Sequence, residues 1–264
     1  MKKRESAGIQ KQHVLDMHSL KADKFAVSYR ELSADVYRTC FTYSRRRLDI
    51  WLERYLPQRG DDLRLLDIGC GAGYHLARFR QRGFEVAGVD GSERMLQHAR
   101  ANNPGVEIRH GDVEKIPFPS GSFDFVLCIE VLRYLPSFSR CVQEMARVLK
   151  PGAVCLATAI PVLNLNGYWL VNRIANVVRV SSLVRLKQFF TTSDRLRREF
   201  VNAGFAVPTV HGVYFGPINW VEHLAPWALP RLLRAWEPLD AALADCPLLR
   251  EFSNMFLVHA VRRS

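Results

Sequence analysis

Three glycines within five residues, Gly69, Gly71 and Gly73, stand in the stretch "LLDIGCGAGYHL" between an apolar run and a helical pattern. Glycine leaves the backbone bare and permits positive φ, so a ligand can lie closer to the chain than any side chain would allow. A second apolar run, "VAGVDGSERML", ends in Asp90. An acid at the end of a second strand suits a pair of ribose hydroxyls, each of which needs an acceptor. A nicotinamide dinucleotide would use the same acid, so the glycine spacing has to discriminate. Dinucleotide turns read G-x-G-x-x-G, the last glycine letting helix and strand approach while the helix terminus holds a pyrophosphate. This turn reads G-x-G-x-G and continues into Tyr74 and His75, with nothing reserved for a pyrophosphate.

The elements that must position these residues are legible between Leu63 and Thr158. Strands are expected at 64–68, 85–89, 106–110, 123–129 and 153–159, alternating with helical patterns at 73–83, 92–102 and 137–152. Ser92 with Glu93 makes an amino-terminal cap, while Gly83 and Lys150-Pro151-Gly152 are stop signals. Strands separated by helices of this length imply βαβ crossovers and a parallel sheet covered on both faces. The near-continuous Val/Ile/Leu character of the strands agrees. Further on, 193–205 reads as a helix ended by Gly204, followed by an extended run and a last strand at 252–263. Ahead of the core, 34–57 has helical periodicity with Tyr37, Phe41, Leu48, Trp51, Leu52 and Leu56 on an inward stripe. Two segments, 161–190 and 217–250, are surplus to the sheet.

The composition is that of a soluble globular chain of 264 residues, 48% hydrophobic and 24% charged. Residues 61–160 carry as many acids as bases, so the whole net charge of +11 sits on the flanks. Such flanks are either a solvated basic face or a surface that meets an anionic group. No apolar run is long enough to span a bilayer, and the basic start lacks the apolar stretch of a signal peptide. Residues 1–20 are accordingly expected to be a flexible tail. The six cysteines form no C-x-x-C pair and read as reduced, buried thiols of a cytoplasmic protein, without a metal site.

"LLDIGCGAGYHL", "VAGVDGSERML", "GDVEKIPFPSGSFDFVLCIEVLRYLP" and "EMARVLKPGAVCLAT", in this order, resemble the class I S-adenosylmethionine-dependent methyltransferases. Within that class the sequence is most similar to the branch of ubiquinone/menaquinone methyltransferases and related small-molecule enzymes. The resemblance is strong over about 60–160 and weaker over 190–264. It implies an α/β, Rossmann-like, seven-stranded, mostly parallel sheet with an antiparallel last strand, an N-terminal helical cap (21–60) and helical lids at 161–190 and 217–250. The cofactor it implies is S-adenosylmethionine, converted to S-adenosylhomocysteine. Carried over, Asp67, Gly69, Cys70, Gly71 and Gly73 border the methionine part, with Asp67 near the amino group. Asp90 accepts from both ribose hydroxyls, and Gly91, Ser92 and Met95 wall the adenine. Asp112 takes the adenine amino group, with Val113 stacked nearby, and Ile129 and Glu130 face the sulfonium. Tyr29, Tyr37, Tyr43 and Arg47 belong to the cap, with Tyr37 and Arg47 expected on the cofactor. As plainer alternatives, Asp90 caps the next helix and Asp112 is a turn acid after Gly111.

Methyl transfer from a sulfonium is an in-line displacement, so positioning and desolvation can supply much of the catalysis. Relatives often carry a histidine where this chain reads "EVLRYLP", with Arg133 and Tyr134. Candidate catalytic groups are Glu130, Tyr134 as an orienting hydroxyl, and His211 as a base; for the last two the alternatives are a packed aromatic and a half-buried histidine. The motif of exocyclic-amine methylation, N/D-P-P-Y/F, is replaced by "CIEV". The two surplus segments, which carry Trp169, Trp220, Trp227 and Trp236, are expected to shape an apolar acceptor pocket or a face on the membrane interface; alternatively they pack together as a subdomain. The expected acceptor is an apolar or amphipathic small molecule, a quinone, lipid or secondary metabolite, with peripheral contact at the inner membrane face. An RNA methyltransferase using the basic flanks, or a non-catalytic cofactor-binding relative, are the competing readings. Nucleic acid is disfavoured because no aromatic-basic interleaving is present.

Overall fold

Leu65, Leu66 and Ile68 are fully buried on β1 (Arg64–Ile68), a strand apolar on both faces and therefore in need of cover on both. In the computed structural model, which describes residues 12, 14, 16, 19, 20, 35–167 and 188–264, that cover comes from two helical layers. The turn after β1 leads into α2 (Tyr74–Arg80), β2 (Glu85–Asp90), α3 (Glu93–Asn102) and β3 (Glu107–His110). The chain then crosses to β4 (Phe123–Cys128), α4 (Ser139–Val148), β5 (Leu149–Ala159), α5 (Ser193–Asn202) and β6 (Thr209–Gly212). Helices α6 (Ile218–Leu224) and α7 (Leu229–Leu243) intervene before β7 (Phe256–Val261). The seven strands are ordered β3-β2-β1-β4-β5-β7-β6, and β7 alone runs antiparallel to its neighbours. The order reverses between β1 and β4, where the crevice beyond the strand ends is the favoured ligand site of such sheets.

Helix α1 (Cys40–Tyr55) begins later than the periodicity from residue 34 predicts, because Thr39 closes a capping box with Thr42. Each hydroxyl accepts the other residue's N–H at 3.0 Å, which satisfies two orphan donors at once. Helix α4 likewise stops short of the expected Gly152. Leu149 already pairs with Phe123, and Gly152 (φ 76°) gives its N–H to the Arg262 carbonyl inside the sheet.

The 217–250 insertion does not reach over the crevice: among the described residues, none of it lines the cavity found there. It clamps α1 from the other side. Asp240 on α7 is wholly buried, accepts from the Tyr43 hydroxyl, and lies 3.1 Å from Arg47 Nε. Glu237, one turn earlier, takes Arg46 at 2.9 Å and the Tyr37 hydroxyl. The expectation that Tyr37 and Arg47 touch cofactor is therefore not met. Residues two apart on a helix point roughly 200° apart, and Arg45 is the one that faces the crevice. Trp220 and Trp236 donate to the Asn166 and Phe215 carbonyls, whereas Trp227 is exposed. Tyr29, Trp169 and most of the 161–190 segment lie outside the described residues.

Candidate functional site

The chain leaves β1 through Gly69 (φ 71°), Gly71 (φ 52°) and Gly73 (φ 83°), each in the left-handed region. They require glycine for different reasons. A Cβ on Gly69 would stand 2.3 Å from Val131 Cγ2, and one on Gly73 would stand 2.3 Å from Asn103 Nδ2 and 3.2 Å from Ala99 Cα. A Cβ on Gly71 would meet nothing within 4 Å. Gly71 is thus bare backbone facing open space, while Gly73 lets α2 start against α3. The expected place of Gly73 beside a ligand is replaced by this packing role, since it does not line the cavity. Gly73→Ala is expected to cost about 2–4 kcal/mol of stability, from positive φ and overpacking. Gly71→Ala is expected to cost about 1 kcal/mol from φ alone while placing a methyl group in the ligand space. Urea unfolding and ligand titration of the two variants separate the effects; equal loss of stability would sink the distinction.

A cavity of about 540 Å³ opens at the β1/β4 crevice, within the range of small-molecule sites. Gly69, Gly71, Asp90, Gly91, Met95, Asp112 and Val113 line one side, and Ile129, Glu130, Arg133 and Tyr134 the other. Phe41 and Arg45, one turn apart on α1, and His110 add to the walls. Gln12 and Val14 line it too, and Ser19 Oγ lies 2.7 Å from Ser92 Oγ, so these positions are not a detached tail.

Asp90 Oδ2 accepts the Gly71 N–H at 2.9 Å, and Oδ1 accepts the Ser92 N–H at 2.8 Å. The Gly91 N–H also bonds this carboxylate, which lines the cavity. Burial raises its pKa against these bonds. Asp67, 2% exposed, lies near both Asp90 and Arg45; its Oδ2 has no hydrogen-bond partner among the described residues. Burial and the Asp90 charge push this carboxyl up to about 7, and Arg45 pulls it down. A buried carboxylate left under-bonded beside bare backbone suits a cationic donor.

Asp112 is the turn acid of the plainer alternative, accepting the Glu114 N–H at 2.8 Å, and it also lines the cavity. Glu130, just past β4, is held at φ 63° with its N–H on Thr158 Oγ1 at 2.7 Å, and its carboxylate pairs with Arg133. A non-glycine residue in this conformation costs about 1–3 kcal/mol and is characteristic of sites. The Arg133 guanidinium lies 5.6 Å from the Tyr134 ring centre.

Cys70 is buried away from the cavity, and Ser92 caps α3, accepting the Met95 N–H at 3.3 Å. His211 also lies outside the cavity. Its Nδ1 sits 2.8 Å from Asp245, its Nε2 2.5 Å from the Tyr55 hydroxyl, and its ring stacks on Trp51. Both nitrogens being engaged at the sheet's far edge, its reading as a base is not carried forward. Phe41, Arg45, His110, Arg133, Gln12 and Val14 are among the lining residues that the sequence did not assign a role. Helical spacing ties Phe41 to Arg45, but the Arg45-Arg46-Arg47 run hides which arginine faces inward.

A Rossmann-like sheet with a nucleoside-sized cavity at its switch point defines the class of protein. Residues 66–157 match the family model of a methyltransferase domain. The chain is 40% identical over 97 residues to a malonyl-[acyl-carrier protein] O-methyltransferase of Erwinia pyrifoliae, covering 37% of each. It is 37% identical over 124 residues to a demethylmenaquinone methyltransferase of Staphylococcus aureus, covering 43% of this chain and 52% of that one. The chain spans between a quarter and about half the length of the curated relatives it matches. An S-adenosylmethionine-dependent methyltransferase structure from Thermotoga maritima superposes with a TM-score of 0.60 at 18% identity, covering 93% of this chain and 98% of that one, a likeness of fold. Among the described residues no helix is long and apolar enough to cross a membrane, and no cluster of metal-ligating side chains occurs.

Proposed function

We propose that this chain is a methyltransferase that moves a methyl group from S-adenosylmethionine to an apolar or amphipathic small molecule. The observation that carries the reading is the meeting, at the β1/β4 crevice, of the bare Gly71 backbone and Asp90, with the under-bonded Asp67 carboxylate buried near Asp90 and Arg45 but not itself lining the cavity. These residues fit the cofactor, which when bound supplies an electrophilic methyl on a sulfonium. Asp90 accepts from the ribose hydroxyls; Gly91, Met95 and Val113 wall the adenine, and Asp112 accepts from its amino group. Asp67 and Arg45 take the amino and carboxylate ends of the methionine part. Ile129 and Glu130 border the sulfonium, and Tyr134 lies on the acceptor side. The small-molecule reading is supported by the relatives named for a quinone precursor and for malonyl-[acyl-carrier protein]. Calorimetry with S-adenosylmethionine tests the proposal: one site per chain is expected, and no binding would end it.

The Asp67 carboxyl supplies a pH test. A cationic amino group binds its ionised form, so cofactor affinity should fall by about tenfold per pH unit below about 7. In the ligand-free protein the sign is opposite. The folded pKa stands above the unfolded value of 3.8, so the native state keeps the proton and loses stability as pH rises toward 7. Asp67→Asn should flatten the affinity profile between pH 5.5 and 7; an unchanged profile would remove Asp67 from the amino site.

An interfacial contact is a second element of the reading, favoured by Leu224 and Trp227, both about four-fifths exposed around the α6–α7 turn. Flotation with anionic liposomes at low salt should carry the wild type up and leave Trp227→Ser behind.

A further inference from the structure

Resting on the methyltransferase reading, we infer that the methyl acceptor is a carboxylate-bearing molecule and that Arg133 seats that carboxylate on the acceptor side of the cavity. Two separate observations lead there. The first is an incomplete guanidinium. Arg133 lines the cavity with its side chain only 17% exposed; Glu130 pairs with Nη1, and Nε is buried without an acceptor among the described residues. Glu130 fills one end of a five-donor fork, and a buried cation is rarely left under-bonded. Nε itself is covered, so a second, planar oxyanion fits the part of the guanidinium that meets the cavity.

The second observation is the state of the groups that could act as bases. Glu130 is committed to Arg133, and His211 is outside the cavity between Asp245 and Tyr55. His110, the one cavity-lining histidine among the described residues, has its Nε2 3.1 Å from the Gly91 carbonyl on the nucleoside side. An acceptor that arrives already ionised needs none of them. A carboxylate oxygen forms the new O–CH₃ bond as the S–CH₃ bond breaks, and the bonding pair stays on sulfur. No proton moves, and the sulfonium and carboxylate charges cancel. The product is a neutral ester, which Arg133 no longer holds by charge, so release follows from the chemistry itself.

The test uses the full chain saturated with S-adenosylhomocysteine, titrated calorimetrically with octanoate and with its neutral isostere octanamide. Octanoate should bind roughly 10- to 100-fold more tightly, the range of one charge-assisted pair. Arg133→Gln should erase that preference, and Arg133→Lys, which keeps the charge but not the fork, should retain part of it. With labelled S-adenosylmethionine, wild type should give base-labile label in octanoate. Equal binding of octanoate and octanamide by wild type would overturn the proposal without any variant having to fold. So would an undiminished preference in Arg133→Gln, or label passing to 1,4-naphthohydroquinone or octylamine and not to octanoate. Those failures would leave S-adenosylmethionine binding intact, whereas failure of the methyltransferase reading would abolish it.

Discussion

Asp90→Ala is expected to lower S-adenosylmethionine affinity by two orders of magnitude or more. The wild-type carboxylate is proposed to accept two ribose hydroxyls, and hydrogen bonds to a charged group are worth about 1.5–3 kcal/mol each. The same oxygens hold the Gly71 and Ser92 N–H groups at 2.9 and 2.8 Å. Alanine would therefore release the glycine turn as well as the ribose, and the two losses act on one site. Asp90→Asn, which keeps one carbonyl oxygen and loses the charge, should fall between, at roughly a tenfold loss. Calorimetry together with thermal unfolding checks this: a melting change with affinity preserved would mean that Asp90 only supports the turn.

The second large effect lies away from the ligand. Asp240→Ala should destabilise the protein by about 3–5 kcal/mol, the cost of removing one partner from a buried ion pair. Arg47, also buried, would be left without its carboxylate, and the fully buried Tyr43 hydroxyl would lose its acceptor. Burial pushes the Asp240 carboxyl up to about 6, and the Tyr43 hydrogen bond, Arg47 and the Phe215 N–H restrain the shift. Because that pKa exceeds the unfolded 3.8, the native state holds its proton longer, and this group costs stability as pH rises through about 6. Asp240→Asn should remove that slope. Urea unfolding across pH 5–8 measures both; a loss under about 1 kcal/mol for Asp240→Ala would mean that α7 does not anchor the cap helix.

The core of the fold was legible because local rules govern it. Most of the βαβ strands announced themselves through short runs rich in apolar residues, β3 (Glu107–His110) least of them, and Ser92 and Gly83 marked helix ends by capping chemistry that depends on near neighbours. The glycine turn, Asp90 and Asp112 follow from the same rules, because each sits at a fixed offset from a strand end and the parallel sheet brings those ends together. Where elements distant in sequence meet, pattern alone failed. The 217–250 helices are apolar enough for a lid, yet Glu237 and Asp240 bind them to the outer side of α1. His211 looks like a free base until Asp245 and Tyr55 arrive from two other elements.

The sequence by itself determined the order of strands and helices, the G-x-G-x-G turn and the acids that follow it, since backbone conformation and strand-end position are short-range properties. Only the tertiary structure decided that Arg45 rather than Arg47 faces the cavity, that Gly73 serves packing while Gly71 stays bare, and that Glu130 is spent on Arg133. Those outcomes depend on the rotation of one helix and the approach of side chains across the crevice. A difference of two residues in helical phase reverses which face a side chain occupies, and only contacts from the rest of the chain select that phase.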